Sequence, residues 1–186
     1  MSPDLQPTLS GPTLTLRPLR PKDFDDLWRA ASDPMIWAQH PEPTRWEPEV
    51  FRRFFDSGLA CGGALVAHEV GSGAVVGSSR YYQWDASAQA ITIGYTFLVR
   101  RLWGGPANAE MKRLMIDHAL GFARTVWFEV GRDNLRSRRA MEKIGATFAG
   151  DRVDPPGSQA VPHVCFRIDR AVLPAASDTP APEGNT

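Results

Sequence analysis

The sequence lacks features that would place a protein of this size in one of several special classes. It has 2 cysteines in 186 residues, Cys61 and Cys165, which argues against a disulfide-stapled scaffold and favours reduced thiols. Lys plus Arg and Asp plus Glu balance at 21 each, so no net field draws the chain to nucleic acid or an anionic membrane. Apolar runs are short and no export signal is seen. We therefore expect a cytoplasmic protein that binds neither nucleic acid nor membranes.

Metal-ligand spacing is absent as well. The 4 histidines are scattered and no cluster of cysteine or acidic residues joins them, so no bound metal is expected. The chain does contain 42% hydrophobic residues, which is enough for the core of one domain. We place this domain at residues 13–173. The segments 1–12 and 174–186 carry Pro, Ser, Gly or Ala without periodicity, and we predict flexible tails there.

Strand and helix periodicities divide the domain into an ordered series of elements. The predicted order is β, α, α, β, β, β, α, β, α, β, β, with hairpin-connected strands, then two helical crossovers, then a hairpin. This order predicts an α/β (α+β) fold with a mixed, mostly antiparallel central sheet of about seven strands and helices on both faces. The predicted elements span residues 14–19, 21–32, 48–58, 64–70, 74–82, 91–99, 106–122, 125–130, 135–144, 147–152 and 161–168.

The domain is arranged around residues 91–124, where a strand runs through a glycine-rich turn into a helix. Arg100 and Arg101 precede the Gly-Gly-Pro turn at 104–106. Such a unit aims backbone N–H groups and the positive end of the helix at one point, which favours an anion site. The same unit is also common in α/β proteins without any ligand, so the pattern alone leaves both interpretations open.

A second strand–turn–helix unit follows at residues 125–144. Its turn carries Arg132, and Asn134 stands where the helix begins, which predicts an N-cap. Both helix starts should reach the same edge of the sheet, outside the carboxyl ends of neighbouring strands. Arg136 and Ser137 lie next to this second start, and both residue types bind phosphate well. These residues and the first turn are therefore expected to form one site.

A resemblance to a known family is carried by two segments, GYTFLVRRLWGGPANAEMKRLMIDHAL and VGRDNLRSRRAMEKIGATFAG. They resemble the GNAT superfamily of acyl-CoA N-acyltransferases, and more closely its branch of ribosomal-protein N-terminal acetyltransferases. The similarity covers roughly Leu14 to Ile168. Its most specific part is Asn-x-x-Ser at 134–137, followed by Glu-Lys-x-Gly at 142–145. The resemblance implies a splayed parallel strand pair in the middle of the sheet and acetyl-CoA as the acyl donor.

In that family acetyl-CoA lies between the splayed strands, here residues 91–99 and 125–130. The resemblance implies that the pantetheine arm bonds to the backbone of the first strand like an added strand. It also implies that the pyrophosphate lies on N–H groups of the glycine-rich turn. The implied cofactor-binding residues are Phe97, Leu98, Arg100, Arg101, Trp103, Gly104, Gly105, Ala107, Asn108, Lys112, Asn134, Arg136 and Ser137.

Two positions depart from the family pattern. Pro106 stands where a glycine is expected and has no N–H to donate, a loss that Asn108, Lys112 or the turn arginines could offset. Met141 stands where many members have a tyrosine that protonates the departing thiolate. The ribosomal branch often lacks this tyrosine too, and a serine at the position of Ser137 is thought to serve there.

The implied chemistry needs a donor for the oxyanion, a proton for the thiolate and a base for the amine. We predict the Leu98 N–H as the oxyanion donor and Ser137 as the acid. The sequence does not identify the base, for which the available groups are Glu69, Asp85, His40, Glu42 and Asp154.

We predict an acetyl-CoA-dependent N-acetyltransferase in which a primary amine attacks directly in a ternary complex. The acceptor is a protein N-terminus or a small molecule, held by the loops 35–46 and 155–162, and a homodimer is left open. Pro106 and Met141 motivate one alternative, a non-catalytic acyl-CoA-binding module. Another alternative is a nucleotide-binding domain of a different kind, which would prefer ATP or NAD to CoA.

Overall fold

The computed structural model describes residues 2–152 and 162–170. Within them the chain forms four α-helices and eight strands in the predicted order, with one strand added at the start. The elements are β1 (Leu9–Ser10), β2 (Leu14–Pro18), α1 (Phe24–Ala31), α2 (Pro48–Ala60), β3 (Ala64–Glu69), β4 (Val75–Asp85), β5 (Ala90–Leu98), α3 (Ala107–Leu120), β6 (Thr125–Gly131), α4 (Leu135–Lys143), β7 (Thr147–Asp151) and β8 (His163–Asp169).

All eight strands belong to one sheet, in the order β1-β2-β3-β4-β5-β6-β8-β7. Neighbouring strands are antiparallel except β5 and β6, which run parallel in the middle of the sheet. The predicted fold class is therefore confirmed: a mixed, mostly antiparallel sheet with helices on both faces and one central parallel pair. The sheet has eight strands where the sequence predicted about seven.

The additional strand is β1, which lies in the segment 1–12 that the sequence analysis treated as a flexible tail. Leu9 and Ser10 pair with β2, and Leu5 packs against the core. His118 Nε2 of α3 donates to the Asp4 carbonyl at 2.8 Å. A two-residue strand is too short to show a periodicity, so pairing with β2 determines it. The other predicted tail, 174–186, and the end of the predicted domain, 171–173, lie outside the described residues.

Two hydrophobic clusters fill the two faces of the sheet. On one face α3 and α4 bury aliphatic and thioether side chains, among them Met111, Met115 and Met141. On the other face α1 and α2 bury an aromatic group that includes Phe51 and Phe54. Each face of the sheet is therefore covered by a pair of helices.

Three further findings bear on the predicted class of protein. Within residues 2–152 and 162–170, none of the helices combines the length and hydropathy that a membrane crossing requires. The same residues hold no group of three or more His, Cys, Asp or Glu side chains placed as metal ligands. Cys61 and Cys165 are not bonded to each other.

Candidate active site

The parallel pair in the middle of the sheet opens into a cleft. β5 and β6 pair only at Ala90–Thr92 and Thr125–Trp127, and beyond these residues the strands diverge. A cavity of about 550 Å³ occupies the opening, bordered by both strands, the starts of α3 and α4, and the loop at 36–41. Most of the predicted cofactor-binding residues line it, namely Phe97, Leu98, Trp103, Gly104, Gly105, Asn108, Lys112, Asn134, Arg136 and Ser137.

The register between β4 and β5 decides which backbone groups of β5 face the cleft. Val99 N–H donates to the Val76 carbonyl at 2.8 Å. Hydrogen-bonded and non-hydrogen-bonded positions alternate along an antiparallel pair. Phe97 therefore shares its N–H and C=O with β4, whereas Leu98 turns both groups toward the open side. The Leu98 N–H, which the sequence analysis predicted as the oxyanion donor, therefore faces the open side of β5, while Phe97 contributes its side chain to the cleft wall.

The start of α3 presents N–H groups without intrahelical acceptors. Gly104 has a left-handed φ of 75°, which residues with a Cβ rarely adopt. Glu110 N–H donates to the Pro106 carbonyl at 2.9 Å, so the N–H groups of residues 107–109 precede the helical hydrogen bonds. Trp103 N–H is used within the 3-10 turn before the helix. The glycine-rich turn is therefore formed with proline in place of the expected glycine.

Three of the arginines predicted near the two turns, Arg100, Arg101 and Arg132, do not line the cleft. Arg101 forms a two-bond ion pair with Glu69, at 2.6 and 3.0 Å. Arg100 pairs with Asp33 at 2.8 Å, and Arg132 pairs with a carboxylate of β7 at 2.7 Å. Ala107, another predicted cofactor-binding residue, does not line the cleft either, because it is buried in the core. The positive charge that the sequence analysis expected from these arginines is directed elsewhere.

Lys112 is the cation that α3 brings to the cleft. Its side chain is buried, with the residue 6% exposed. Nζ lies 3.4 Å from Thr96 Oγ1 on β5 and 5.3 Å from the centre of the Phe128 ring on β6. No carboxylate in the described part of the chain pairs with it. Burial lowers the pKa of Lys112 to about 8, because desolvation disfavours the charged form. The ammonium therefore reaches into the fork between the two strands.

The start of α4 presents side chains rather than backbone. Asn134 Oδ1 accepts from Ser137 N–H at 3.1 Å, which confirms the predicted N-cap. Helical serines usually bond to their own turn, but the Ser137 hydroxyl forms no hydrogen bond within the described residues. Met141, one turn further, is buried and also lines the cleft. Ser137 thus places a hydroxyl at the cleft, whereas Met141 has no hydroxyl to offer there.

A cation–π contact connects the two sides of the cleft. The Arg136 guanidinium carbon lies 3.9 Å from the centre of the Trp103 ring, and Arg136 also donates to the Ile36 carbonyl at 2.9 Å. Trp103 Nε1 donates to the Leu98 carbonyl at 3.0 Å. These contacts hold together the start of α4, the turn before α3 and the loop after α1.

The groups considered as general base lie in different surroundings. Glu69 is held by an arginine outside the cleft, Asp85 accepts hydrogen bonds within the β4–β5 turn, and Glu42 accepts from a neighbouring threonine. His40 lines the cleft, but burial lowers its pKa to about 3, so it is a weak base. Asp154 lies outside the described residues.

Glu129 of β6 is a carboxylate that lines the cleft and that the sequence analysis did not single out. Its Oε2 accepts from Arg152 at 2.9 Å and lies 3.5 Å from the Tyr82 hydroxyl. The alternation in TVWFEV places Glu129 on the face opposite Phe128. That pattern could have drawn attention to this residue, but it does not show where β6 leaves β5.

The wall opposite α3 and α4 is aromatic. Trp37 and Phe97 pack with ring centres 5.2 Å apart. Tyr95 has a φ of 53° where the β4–β5 register shifts, a backbone region that is strained for an aromatic residue. Residues of the predicted loop 35–46 do line the cleft here. Of the second predicted loop, residues 155–161 lie outside the described part of the chain.

Comparison with known proteins agrees with this geometry. The family model of the acetyltransferase (GNAT) domain matches residues 13–147. The chain belongs to the GNAT family. The resemblance to this superfamily is thereby confirmed. A sequence comparison with curated proteins gives no match.

Solved GNAT structures share the fold at low sequence identity. A GCN5-related N-acetyltransferase from Brucella melitensis is 21% identical with a TM-score of 0.74, covering 89% of this chain and 79% of that chain. Mycobacterium smegmatis RimJ, solved in complex with CoA-disulfide, is 18% identical with a TM-score of 0.71, covering 91% and 90%. The Microcin C7 self immunity acetyltransferase MccE, solved with acetyl-CoA and AMP, is 13% identical with a TM-score of 0.71, covering 89% and 98%.

Proposed function

We propose that this GNAT protein is an acetyl-CoA-dependent N-acetyltransferase that acts on a primary amine. The observation that carries the proposal is the open strand pair, with the Leu98 N–H on its free edge and the unbonded N–H groups of α3 at its end. A pantetheine arm can add to such an edge as a strand does. A pyrophosphate matches the helix start. The CoA-disulfide and acetyl-CoA found with RimJ and MccE support the same donor.

The residues at the cleft provide for each step of a direct transfer in a ternary complex. The amine nitrogen attacks the thioester carbonyl, and the oxyanion that forms accepts from the Leu98 N–H. The carbon–sulfur bond then breaks, and the thiolate takes the Ser137 hydroxyl proton. The proton lost by the amine passes to Glu129, directly or through water, so that one proton leaves the amine and one reaches the thiol. Glu129 then releases its proton to solvent, and Ser137 regains one from solvent, so both groups return to their starting states. Lys112 adds positive charge at the fork where negative charge develops.

A second candidate function is a non-catalytic acyl-CoA-binding module. The observation that favours it is the buried Met141, which lacks a hydroxyl at the position where many GNAT enzymes have the acidic tyrosine. In this case the cleft binds acetyl-CoA, but no amine is acetylated. The two functions differ in the Ser137 hydroxyl, which has a role only if the thiolate must be protonated.

Binding and turnover measurements test these functions. Calorimetry should show micromolar binding of acetyl-CoA and much weaker binding of NAD or ATP. Thiol release with a panel of primary amines should show turnover. Acetyl-CoA binding without turnover for any amine supports the module, and an equal or stronger response to NAD or ATP removes the CoA proposal.

Substitution of Ser137 tests the proposed acid. Ser137→Ala should lower kcat by about 100-fold or more, because a positioned proton donor contributes at least that much. The acetyl-CoA dissociation constant should stay unchanged, since the proton is needed only as the thiolate leaves. Ser137→Thr keeps the hydroxyl and should retain much of the rate, and Ser87→Ala in the distant β4–β5 turn is the control. A full kcat in Ser137→Ala would return this serine to a structural role.

A further inference from the structure

A guanidinium that has no ion-pair partner among the described residues adjoins the aromatic side of the cleft. Arg45, in the loop between α1 and α2, places its guanidinium carbon 4.7 Å from the Phe54 ring centre and 5.1 Å from that of Trp37. The side chain is half-buried, and no carboxylate in the described part of the chain forms an ion pair with it. The nearby Glu42 accepts instead from the Thr44 hydroxyl at 2.7 Å. Burial and a neighbouring arginine lower the pKa of Arg45 to about 10, so the group is still charged at neutral pH.

His40 adds a second donor at the same place. Glu42 N–H donates to His40 Nδ1 at 2.9 Å, and a backbone N–H cannot rotate away, so Nδ1 is the unprotonated acceptor. Because burial keeps the ring neutral, its proton is on Nε2. Nε2 lies 3.1 Å from Arg45 Nη1, and two N–H donors cannot bond to each other. Among the described residues no hydrogen bond joins either of these N–H groups to an oxygen acceptor, so a bound oxyanion can accept from both.

A second guanidinium strengthens the positive potential. Arg80 is 4% exposed and lies 4.5 Å from the Phe54 ring centre and 4.2 Å from that of Tyr95. It donates to Ser57 Oγ at 3.0 Å and to the Phe54 carbonyl at 2.7 Å, and no carboxylate of the described residues pairs with it. Like charges that share one aromatic ring away from water are costly unless an anion binds beside them.

These groups adjoin the cleft on the side away from α3 and α4. Trp37 and His40, both in contact with Arg45, line the cavity, and so does Tyr95. The helix starts form the end of the cavity that we propose for acetyl-CoA. The aromatic side is therefore left for the amine acceptor. Aromatic walls suit an apolar body, and an Arg N–H beside an imidazole N–H matches the two oxygens of a carboxylate.

We propose that Arg45 and His40 Nε2–H bind a carboxylate of the acetyl acceptor. The acceptor class is then an amine that also carries a carboxylate, as a free amino acid or an acidic peptide does, with an apolar portion against the aromatic wall. The inference rests on the proposed acetyltransfer, and it narrows the acceptor from any primary amine to an aminocarboxylate.

Binding of acid and amide pairs tests this site without relying on turnover. Phenylacetate should bind to the acetyl-CoA-loaded protein at least about tenfold more tightly than phenylacetamide in calorimetry, because a charge-assisted bond is lost in the amide. Arg45→Met, which keeps the length of the side chain, should abolish that preference and leave acetyl-CoA binding in place. Arg52→Met is the matched control, since Arg52 stacks on Phe24 at 3.2 Å and is exposed.

Turnover distinguishes the two sources of the carboxylate. Phenylalanine should be acetylated at least about tenfold faster than phenylalaninamide or phenethylamine if the free amino acid is the acceptor. A peptide whose only carboxylate is a side chain should be preferred if the acceptor is an acidic N-terminus. Equal binding of acid and amide by the wild type, or an unchanged preference in Arg45→Met, overturns the carboxylate site. Failure of the proposed function is a separate result, namely no acetyl-CoA binding at all or no turnover with any amine.

Discussion

The helices α3 and α4 both begin at the cleft, and they present different groups to it. α3 has no side-chain N-cap and offers backbone N–H groups, with the buried Lys112 one turn further along. α4 is capped by Asn134 and offers side chains, namely the Ser137 hydroxyl and the Arg136 guanidinium stacked across the cleft.

This difference shows that a charged residue next to a turn in the sequence need not contribute its charge to the cleft at that turn. The turn before α3 has adjacent arginines and a glycine pair, which is the stronger phosphate pattern in the sequence. Its arginines are used in ion pairs with Asp33 and Glu69, so the N–H groups and Lys112 remain for an anion. The start of α4 has the weaker glycine pattern, yet Asn134, Arg136 and Ser137 at this start line the cleft. The predictions below test this contrast.

The largest effect is expected from Lys112→Met, which removes the cation of the α3 side. A buried ammonium with a pKa near 8 in place of 10.5 destabilises the folded state, so the variant should raise the free energy of unfolding by about 3 kcal/mol at pH 7. Acetyl-CoA should bind about tenfold more weakly, because an anion loses its charged partner. Urea unfolding and calorimetry measure the two effects.

The pH dependence of the same variant has a definite sign. The folded state releases the Lys112 proton near pH 8 and the unfolded chain releases it near 10.5. Between these values the unfolded state holds more protons, so the wild type gains stability as pH rises. The stability difference between Lys112→Met and wild type should therefore be largest below pH 8 and shrink toward pH 10.5. Lys22→Met, at an exposed lysine, should show no such change.

A smaller effect is expected from Asn134→Ala on the α4 side. Loss of the N-cap should lower the free energy of unfolding by about 1 kcal/mol, measured by urea unfolding. Acetyl-CoA affinity should fall as well, because Asn134 lines the cleft in which we propose that acetyl-CoA binds. Asn134→Ser can still cap the helix and should recover the stability. If Asn134→Ala melts lower and binds acetyl-CoA as the wild type does, the residue is a cap and nothing more.

The smallest effect is expected from Arg101→Gln. The Arg101–Glu69 pair is exposed at the arginine and lies outside the cleft, and such surface pairs contribute little. The acetyl-CoA dissociation constant should change by less than about twofold, and the melting temperature should stay close to that of the wild type. A tenfold loss of affinity in calorimetry would restore Arg101 to the phosphate site and remove the contrast between the two helix starts.

The order of helices and strands followed from the sequence because each element has a local cause. Alternating apolar residues in 125–130 bury one face of a strand, and Met111, Met115 and Ala119 at helical spacing bury one face of α3. Asn134 caps its helix through a bond to a residue three positions away. The short β1 strand had no such local cause, since its two residues form a strand only by pairing with β2.

The sequence by itself determined the family motifs and the positions of both turns, because these depend on residues close in the chain. The order of the helices and strands then favoured the fold class. Only the tertiary structure decided which polar groups serve the cleft. Arg101 forms an ion pair with a carboxylate 32 positions away and so points away from the cleft. Glu129 lines the cleft because β6 diverges from β5. Arg45 lies in a segment without periodicity, and its place on Phe54 and Trp37 depends on how the loop after α1 packs on α2. Contacts with residues distant in sequence determine where these side chains lie, so no local sequence pattern predicts their positions.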